Sequence, residues 1–362
     1  MTNFSVRQTS VRGKVLITCD AGLICYRAGM LYVYSVPSEN LIKKIPLPTP
    51  VLKRFFCRFR IAERLMHMEA KWAVALDNNS LLVQYLGGIL CVELGTGKCL
   101  WENLSVRGRP LMACRVHRNE GFSDIVCVGD YGDNDGRDPV KVFGRSTDSS
   151  EWKVLYTFPD KAVRHIHGIF GSPENNEVFI LTGDEDSESG IWKTRDFFKT
   201  VEPVVVGKQQ YRACRMICGN ESGLYYYLTD APSEKNGIFK IENEKVSFLH
   251  SISGTCIYGA NAPFGGVFST TVEPDAHPKN KIDRWLTNRP GAGIVSRDCD
   301  VFVLYSDGSA EKIASYTHDG LPLRLFQYGT VVFTDYCDGS IFYSPQNVKK
   351  FDNRVFEIKW SF

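Results

Sequence analysis

The feature that most restricts this chain is a recurrence. Short β-branched or aromatic runs, separated by Gly, Asn, Asp and Pro, come in fours, with one group about every 40 to 50 residues. Val15-Leu16-Ile17-Thr18, Gly22-Leu23-Ile24-Cys25-Tyr26 and Met30-Leu31-Tyr32-Val33-Tyr34 open the series. Pro46-Leu47-Pro48-Thr49-Pro50 closes the first group, because proline cannot extend a hydrogen-bonded ladder. The groups fall at about 14–45, 61–103, 109–158, 163–206, 209–251, 255–317 and 322–360. A small twisted sheet cannot bury both faces alone, so such groups must stack in a ring. The expected fold is all-β: one β-propeller over residues 1–362, with seven four-stranded blades rather than six around a central channel. The strand-like Phe4 to Val11 would complete the last blade beside Val355 to Trp360. The sixth group is enlarged by an insertion around His277 to Gly293.

Composition removes several classes of function. Hydrophobic content of 43% and charged content of 23% are those of a folded chain, and a formal charge of +2 argues for neither nucleic acid nor an anionic membrane as partner. There is no apolar run of about 18 residues to span a bilayer, and Met1 to Ser10 is too polar for a signal peptide. The 12 cysteines are scattered, most of them inside apolar runs such as Asp124-Ile125-Val126-Cys127-Val128, so they read as reduced core thiols in a cytoplasmic protein. Cys214 and Cys218 would share a strand face, yet no second ligand pair accompanies them, and structural zinc is not expected. The 22 Phe, 16 Tyr and 6 Trp suit strands and, less specifically, sugar-stacking surfaces. Gly95-Thr96-Gly97-Lys98 lacks the earlier glycine of a phosphate loop and reads as a turn. Asp133 to Asp138 fails as a calcium loop, because Tyr131 and Val142 stand where the first and last carboxylates belong.

The chemistry concentrates around Val163-Arg164-His165-Ile166-His167-Gly168-Ile169. Strand alternation puts Val163, His165, His167 and Ile169 on one face, with Arg164 and Ile166 on the other. Inner strands line a propeller's axis, so polar residues at the starts of successive blades converge on the channel mouth. The third blade supplies Tyr131, Asn134 and Arg137, the fourth His165, His167 and Asp184, and the fifth Gln210, Arg212 and Asp230. Glu273 comes from the sixth, and Arg324 and Gln327 from the seventh. Arg137, Arg212 and Arg324 can hold a carboxylate by bidentate bonds, or each can pair with a local acid, as Arg137 with Asp138. Glu273 and Asp184 can serve as acid and base, or acid and nucleophile, of glycoside cleavage, which needs carboxyls about 5 to 9.5 Å apart. Beside Pro274, turn stabilisation is the alternative role for Glu273. His165 and His167 can bond sugar hydroxyls or act as a base. As metal ligands they need partners from Asp184, Glu273 or Gln327. One can also bond backbone while the other packs.

Two hairpins carry a family pattern. Ser189-Gly190-Ile191-Trp192-Lys193-Thr194-Arg195-Asp196 resembles the turn of Asp-box (BNR) repeats, and Ser146, Asp148 and Trp152 stand near the same positions in a second hairpin that lacks the glycine. More broadly, about Gly129 to Phe333 resembles the sialidase-like glycosyl hydrolases associated with bacterial polysaccharide biosynthesis. The motifs are Gly-Asp-Tyr-Gly-Asp-Asn-Asp-Gly-Arg-Asp-Pro-Val, His-Ile-His-Gly-Ile, Thr-Gly-Asp-Glu-Asp, Gln-Gln-Tyr-Arg-Ala, Thr-Thr-Val-Glu-Pro and Arg-Leu-Phe-Gln-Tyr-Gly. Residues 1–108 lie outside the match, and Phe59-Arg60-Ile61-Ala62 lacks the proline of a true sialidase motif. The resemblance implies a glycoside hydrolase for an acidic oligosaccharide or polysaccharide intermediate. Its catalytic residues would be Glu273, Asp184 and His167. Its substrate-binding residues would be His165, Tyr131, Asn134, Arg137, Gln210, Arg212, Asp230, Arg324 and Gln327. The partner is an oligosaccharide or sugar-containing small molecule, and no cofactor is expected. The alternatives are a non-catalytic glycan-binding propeller and a metal-dependent polysaccharide lyase that uses His165 and His167.

Overall fold

A computed structural model describes residues 3–117, 124–172, 177–219, 221–275 and 278–361. The chain starts with β1 (Asn3–Arg12). Blade one follows as β2 (Lys14–Cys19), β3 (Gly22–Arg27), β4 (Met30–Tyr34) and β5 (Leu41–Pro46). Two short helices, α1 (Val51–Phe56) and α2 (Arg60–Leu65), precede blade two, which is β6 (Ala73–Ala75), β7 (Ser80–Tyr85), β8 (Gly88–Glu93) and β9 (Cys99–Trp101). Blade three is β10 (Ala113–Val116), β11 (Ile125–Gly129), β12 (Val140–Ser146) and β13 (Trp152–Phe158). Blade four is β14 (His165–Ser172), β15 (Glu177–Gly183), β16 (Gly190–Thr194) and β17 (Glu202–Val206). Blade five is β18 (Ala213–Cys218), β19 (Leu224–Thr229), β20 (Gly237–Glu242) and β21 (Lys245–Ser251). Blade six is β22 (Gly259–Ala262), β23 (Gly265–Ser269), then α3 (Lys281–Leu286), β24 (Asp298–Tyr305) and β25 (Ala310–Thr317). Blade seven joins β26 (Thr330–Phe333), β27 (Ser340–Gln346) and β28 (Arg354–Ser361) to the first strand, in the order β1-β28-β27-β26.

The architecture is therefore a seven-bladed β-propeller, each blade an antiparallel four-stranded sheet. The expected closure is present: β1 runs antiparallel to β28, with Phe4 opposite Trp360 and Gln8 opposite Phe356. Thr9 Oγ1 donates to Val355 O at 2.9 Å, and the Trp360 ring stacks on Phe264 of blade six at 4.3 Å. The core lies between blades rather than within one. Leu16, Ile24 and Leu31 of blade one pack with Leu81, Val83 and Leu90 of blade two. On its other face blade one sends Val15 and Leu23 against Val332, Phe342 and Val355 of blade seven. Each such side chain contributes about 1.5–3 kcal/mol on burial, so the ring is stable only when every face has a neighbour.

Three local features depart from the sequence reading. The second group begins as helix, not strand. Pro46 to Pro50 stops β5, and α2 then carries Arg60 and Arg64 back onto blade seven and its loops, where Arg60 Nε meets Asp352 Oδ2 at 2.9 Å and Arg64 Nε donates to Phe326 O at 2.8 Å. The blade-six insertion contains α3, capped by Asn280 Oδ1 accepting from Asp283 N at 2.8 Å; His277 lies outside the described residues. Simple alternation along β14 also fails. The register against β15 slips between Ile166 and Gly168, so His167 is the extra residue of a β-bulge, and Val163, Ile166 and Ile169 all join one core cluster. The same slip occurs at Cys214 in β18 and at Leu16 in β2.

Deleting residues 1–12 would strip blade seven of its outer strand and leave β28 as an open edge. The expected result is a melting temperature lower by roughly 10 °C or more, with aggregation on unfolding, measured by scanning calorimetry. An unchanged transition would mean that closure does not depend on β1.

Candidate functional site

In an antiparallel blade the start of the first strand and the end of the second lie at the same edge. Such edges surround one end of the axis, and those of every blade but the fourth line a central cavity of about 590 Å³. Lys14 opens its inner strand, Lys71, Arg109, Arg212 and Arg324 come from the segments that lead into theirs, and Tyr131, Asp230 and Gln346 stand at or just after the ends of second strands. Glu273 reaches the cavity from the segment after β23, held by bridges from Thr271 to Thr255 and from Val272 to Gly329.

His165 and His167 adjoin this wall through Tyr131, whose ring centroid lies 4.5 Å from that of His165 and 6.0 Å from that of His167. Both imidazoles are buried, His167 to 2% exposure. The bulge turns both Nε2 atoms toward one point, 3.0 Å apart. Asp184 Oδ1 stands 3.2 Å from Nε2 of His167 and 3.4 Å from that of His165. His165 Nδ1 lies 3.1 Å from Gly132 O, and a carbonyl can only accept, so His165 carries its proton on Nδ1 and offers a lone pair at Nε2. His167 Nδ1 faces Asp230 Oδ2 at 3.7 Å.

Arg212 binds the two carboxylates together, with Nη2 at 3.2 Å from Asp184 Oδ1 and Nε at 3.5 Å from Asp230 Oδ2. Gln209 Nε2 holds Asp184 O at 2.6 Å, and Arg164 Nη1 reaches Asp184 Oδ2 at 3.3 Å. Burial alone would raise the Asp184 carboxyl, but the neighbouring imidazoles of His165 and His167 and the charge of Arg212 outweigh it and hold the group far below the usual carboxylate range. Burial pushes the other way on Glu273: with Asp230 beside it, its carboxyl rises to about 8. Desolvation also lowers His167 against the pull of Asp184.

Among the described residues, two side-chain groups have donor atoms close enough to hold a cation: His165, His167 and Asp184, and His167, Cys214 and Asp230. The second is the poorer set. The Cys214 thiol donates to Asp230 Oδ2 at 3.2 Å, and burial with the Asp230 charge drives it well above the usual thiol range, so it keeps its proton.

Among the residues picked from the sequence, Tyr131, Arg212, Asp230, Glu273, Arg324 and Gln327 line the cavity. His165, His167 and Asp184 form the cluster one layer behind. Asn134 instead clamps its own loop, donating to Asp138 O and Arg164 O at 3.0 Å each. Arg137 pairs with Glu188, not with Asp138. Gln210 sits in the short turn Gln209–Tyr211, and its neighbour Gln209 makes the contact to Asp184. Sequence reasoning passed over Lys14, Lys71 and Arg109. The usable signal was positional, since each stands at or just before an inner strand, as His165 and Arg212 do. A second signal was the aspartate after the second strand of three successive blades, at 130, 184 and 230.

No family model and no curated protein matches the chain. Solved structures match the whole fold at low identity. An oligogalacturonate lyase from Vibrio parahaemolyticus superposes with a TM-score of 0.52 at 9% identity, covering 99% of this chain and 97% of that one. An oligogalacturonate lyase in complex with manganese gives 0.57 at 9%, over 99% and 96%. A chain of the mitotic checkpoint complex gives 0.55 at 7%, over 99% and 94%. At such identities the likeness is one of fold alone.

Proposed function

We propose that the protein is a metal-dependent lyase of uronic-acid-containing oligosaccharides, with His165, His167 and Asp184 as the ligands of a divalent cation. The observation that carries this is the convergence of two imidazole nitrogens and one carboxylate oxygen within 3.4 Å of one another. Octahedral coordination at about 2.1 Å sets neighbouring ligand atoms about 3 Å apart, which is this spacing. The Nδ1 contacts to Gly132 O and toward Asp230 are the outer partners that orient ligating histidines. The likeness in fold to a manganese-bound oligogalacturonate lyase supports the same reading.

Bound there, a divalent cation would neutralise a uronate carboxylate and acidify the adjacent carbon-bound proton, which a solvent base would take. The chain's own residues would position the reactants. Asp230 and Gly132 fix the two rings, Gln209 and Arg164 fix Asp184, and Tyr131 offers an aromatic face to the sugar. Glu273, protonated at neutral pH, is a donor for the leaving oxygen.

Glycoside hydrolysis is the second reading, favoured by one observation. Asp184 is held ionised while Glu273 is held protonated, the division of labour that acid–base cleavage requires. The product separates the two. A lyase leaves an unsaturated uronate with no oxygen from water, whereas a hydrolase incorporates one labelled oxygen per cleavage.

Protein stripped with chelator should bind one equivalent of Mn²⁺ by calorimetry, and His167→Ala should weaken that binding by roughly 10- to 100-fold. Gly183→Ala is the finer probe. Its Cβ would lie 2.6 Å from His167 Cε1 and 3.1 Å from Nε2, so the ring must move while every ligand is kept. A loss of about 10-fold in Mn²⁺ affinity is expected; undiminished binding in both variants would sink the assignment.

Oligogalacturonate incubated with the Mn²⁺-loaded protein should gain the ultraviolet absorbance of an unsaturated product, and chelator should abolish it. Under either reading, turnover should decline as pH rises through about 8, because Glu273 then loses the proton it donates. Glu273→Gln should reduce turnover by about 10²- to 10⁴-fold. A flat profile from pH 6 to 10 would remove Glu273 as the donor.

A further inference from the structure

The cavity is polarised across the axis. Going round the ring, blades four, five and six face it or back onto it with His165, His167 and Asp184, with Asp230, and with Glu273. The remaining four blades, seven, one, two and three, are consecutive once the ring is closed. Each gives one cation, Lys14 from the start of its inner strand and Arg324, Lys71 and Arg109 from the segment that leads into theirs; Arg284 of α3 adds a further one from the blade-six insertion. We infer that this cationic arc is the recognition site for a further acidic group of the ligand, an oxyanion such as a second uronate carboxylate of the oligosaccharide or a phosphate, apart from the carboxylate the cation would neutralise.

Two other arginines are engaged elsewhere. Arg212 is shared between Asp184 and Asp230, and Arg137 is paired with Glu188 away from the cavity. The arc is left uncompensated. Lys14 is 4% exposed, and among the described residues no hydrogen bond or ion pair reaches its Nζ. Lys71 Nζ donates to the neutral Gln327 Oε1 at 3.2 Å. Arg324 Nε is buried without a hydrogen-bond partner among the described residues. The nearby carboxylates are taken, Asp133 by Arg164, Glu69 by Arg60 and Glu63 by Arg60 and Tyr26. Burial, reinforced by Arg109 and Arg60, brings the Lys71 amine down to about 8, and burial with Lys71 and Arg60 pulls Lys14 well below its ordinary value. Buried cations without counter-charges are costly in the resting protein, and an anionic ligand supplies the missing partner. Gln327, which takes a positive φ of 68°, also accepts from Lys71 and donates to Arg64 O at 3.3 Å, tying the arc to α2.

This deepens the lyase reading by locating the acid-binding half of the cavity, so its test avoids turnover and metal. Chelator-treated protein is titrated by calorimetry at pH 7 with digalacturonate, with its methyl ester and with inorganic phosphate. Digalacturonate should bind at least about 10-fold tighter than the neutral ester, the usual scale for a charged hydrogen-bonded partner. Lys71→Gln and Arg324→Gln should each remove most of that difference, Lys71→Arg should keep it, and His167→Ala should leave it intact. Phosphate binding lost in the same two Gln variants, with no discrimination between digalacturonate and its ester, would identify a phosphate group as the anion. Melting temperatures of the Gln variants should equal or exceed the parent's, since an uncompensated charge is removed. The inference is overturned if neither oxyanion binds, or if discrimination survives in the Lys71→Gln, Arg324→Gln double variant. Loss of Mn²⁺ binding or of unsaturated product, with discrimination retained, would instead fail the lyase reading alone.

Discussion

Closure of the ring by β1 against β28 is the constraint on which the rest depends. Each blade has two apolar faces, and only a closed ring gives every face a partner. The closing contact joins Val15, Leu23 and Tyr32 of blade one to Val332, Phe342 and Val355 of blade seven. It also fixes the circular order of the blades, and with it which strand starts meet over the axis. Lys14 and Arg324 are far apart in the chain and adjacent in the ring for that reason alone. The polar ends of the inner strands would have no common cavity if the ring were open.

The fold was legible in the sequence because its signal is redundant. Seven groups of four strands repeat the same punctuation, so the failure of one group leaves the period intact, and the completing strand at Phe4 to Val11 could be assigned by elimination. The helices α1 and α2 were not legible. Both are six residues long, α1 buries none of its side chains, and a pattern that short carries no usable period. The site was legible only in outline. The starts of blades led to Arg212 and Arg324, which line the cavity, and the same rule applied to Lys14 and Lys71 would have named two more. Those lysines sit in stretches that read as ordinary solvent-facing strand ends, and burial of an amine leaves no mark in a sequence. Arg137 and Asn134 went the other way. Their loop is rich in the residues that cavities use, yet its own backbone consumes them.

The β-bulges explain why periodicity alone misplaced the histidines. A regular strand sets side chains two apart about 7 Å from each other along the strand, too far for two imidazoles to meet at one point. The extra residue at His167 shortens that separation and tightens the local twist, so both Nε2 atoms reach the same place. A matching bulge at Cys214 sits in the inner strand of the next blade, where the thiol meets Asp230. A local irregularity in the ladder, not a motif, thus builds the centre.

The protons around that cluster bear on the cation proposed for it. His165 is fixed with its proton on Nδ1 by Gly132 O. Desolvation disfavours a second proton on His167, so its single proton has two places to go. On Nε2 it can bond His165 or Asp184, but Nδ1 then presents a bare lone pair to the Asp230 carboxylate at 3.7 Å. On Nδ1 it faces Asp230 favourably, but three acceptor atoms then converge with nothing between them. Each tautomer leaves one repulsive contact in a buried site, where such contacts are expensive. A divalent cation among the three acceptors, with the proton on Nδ1 toward Asp230, relieves both at once. Arg212 can follow the charge, because it already touches Asp230 as well as Asp184.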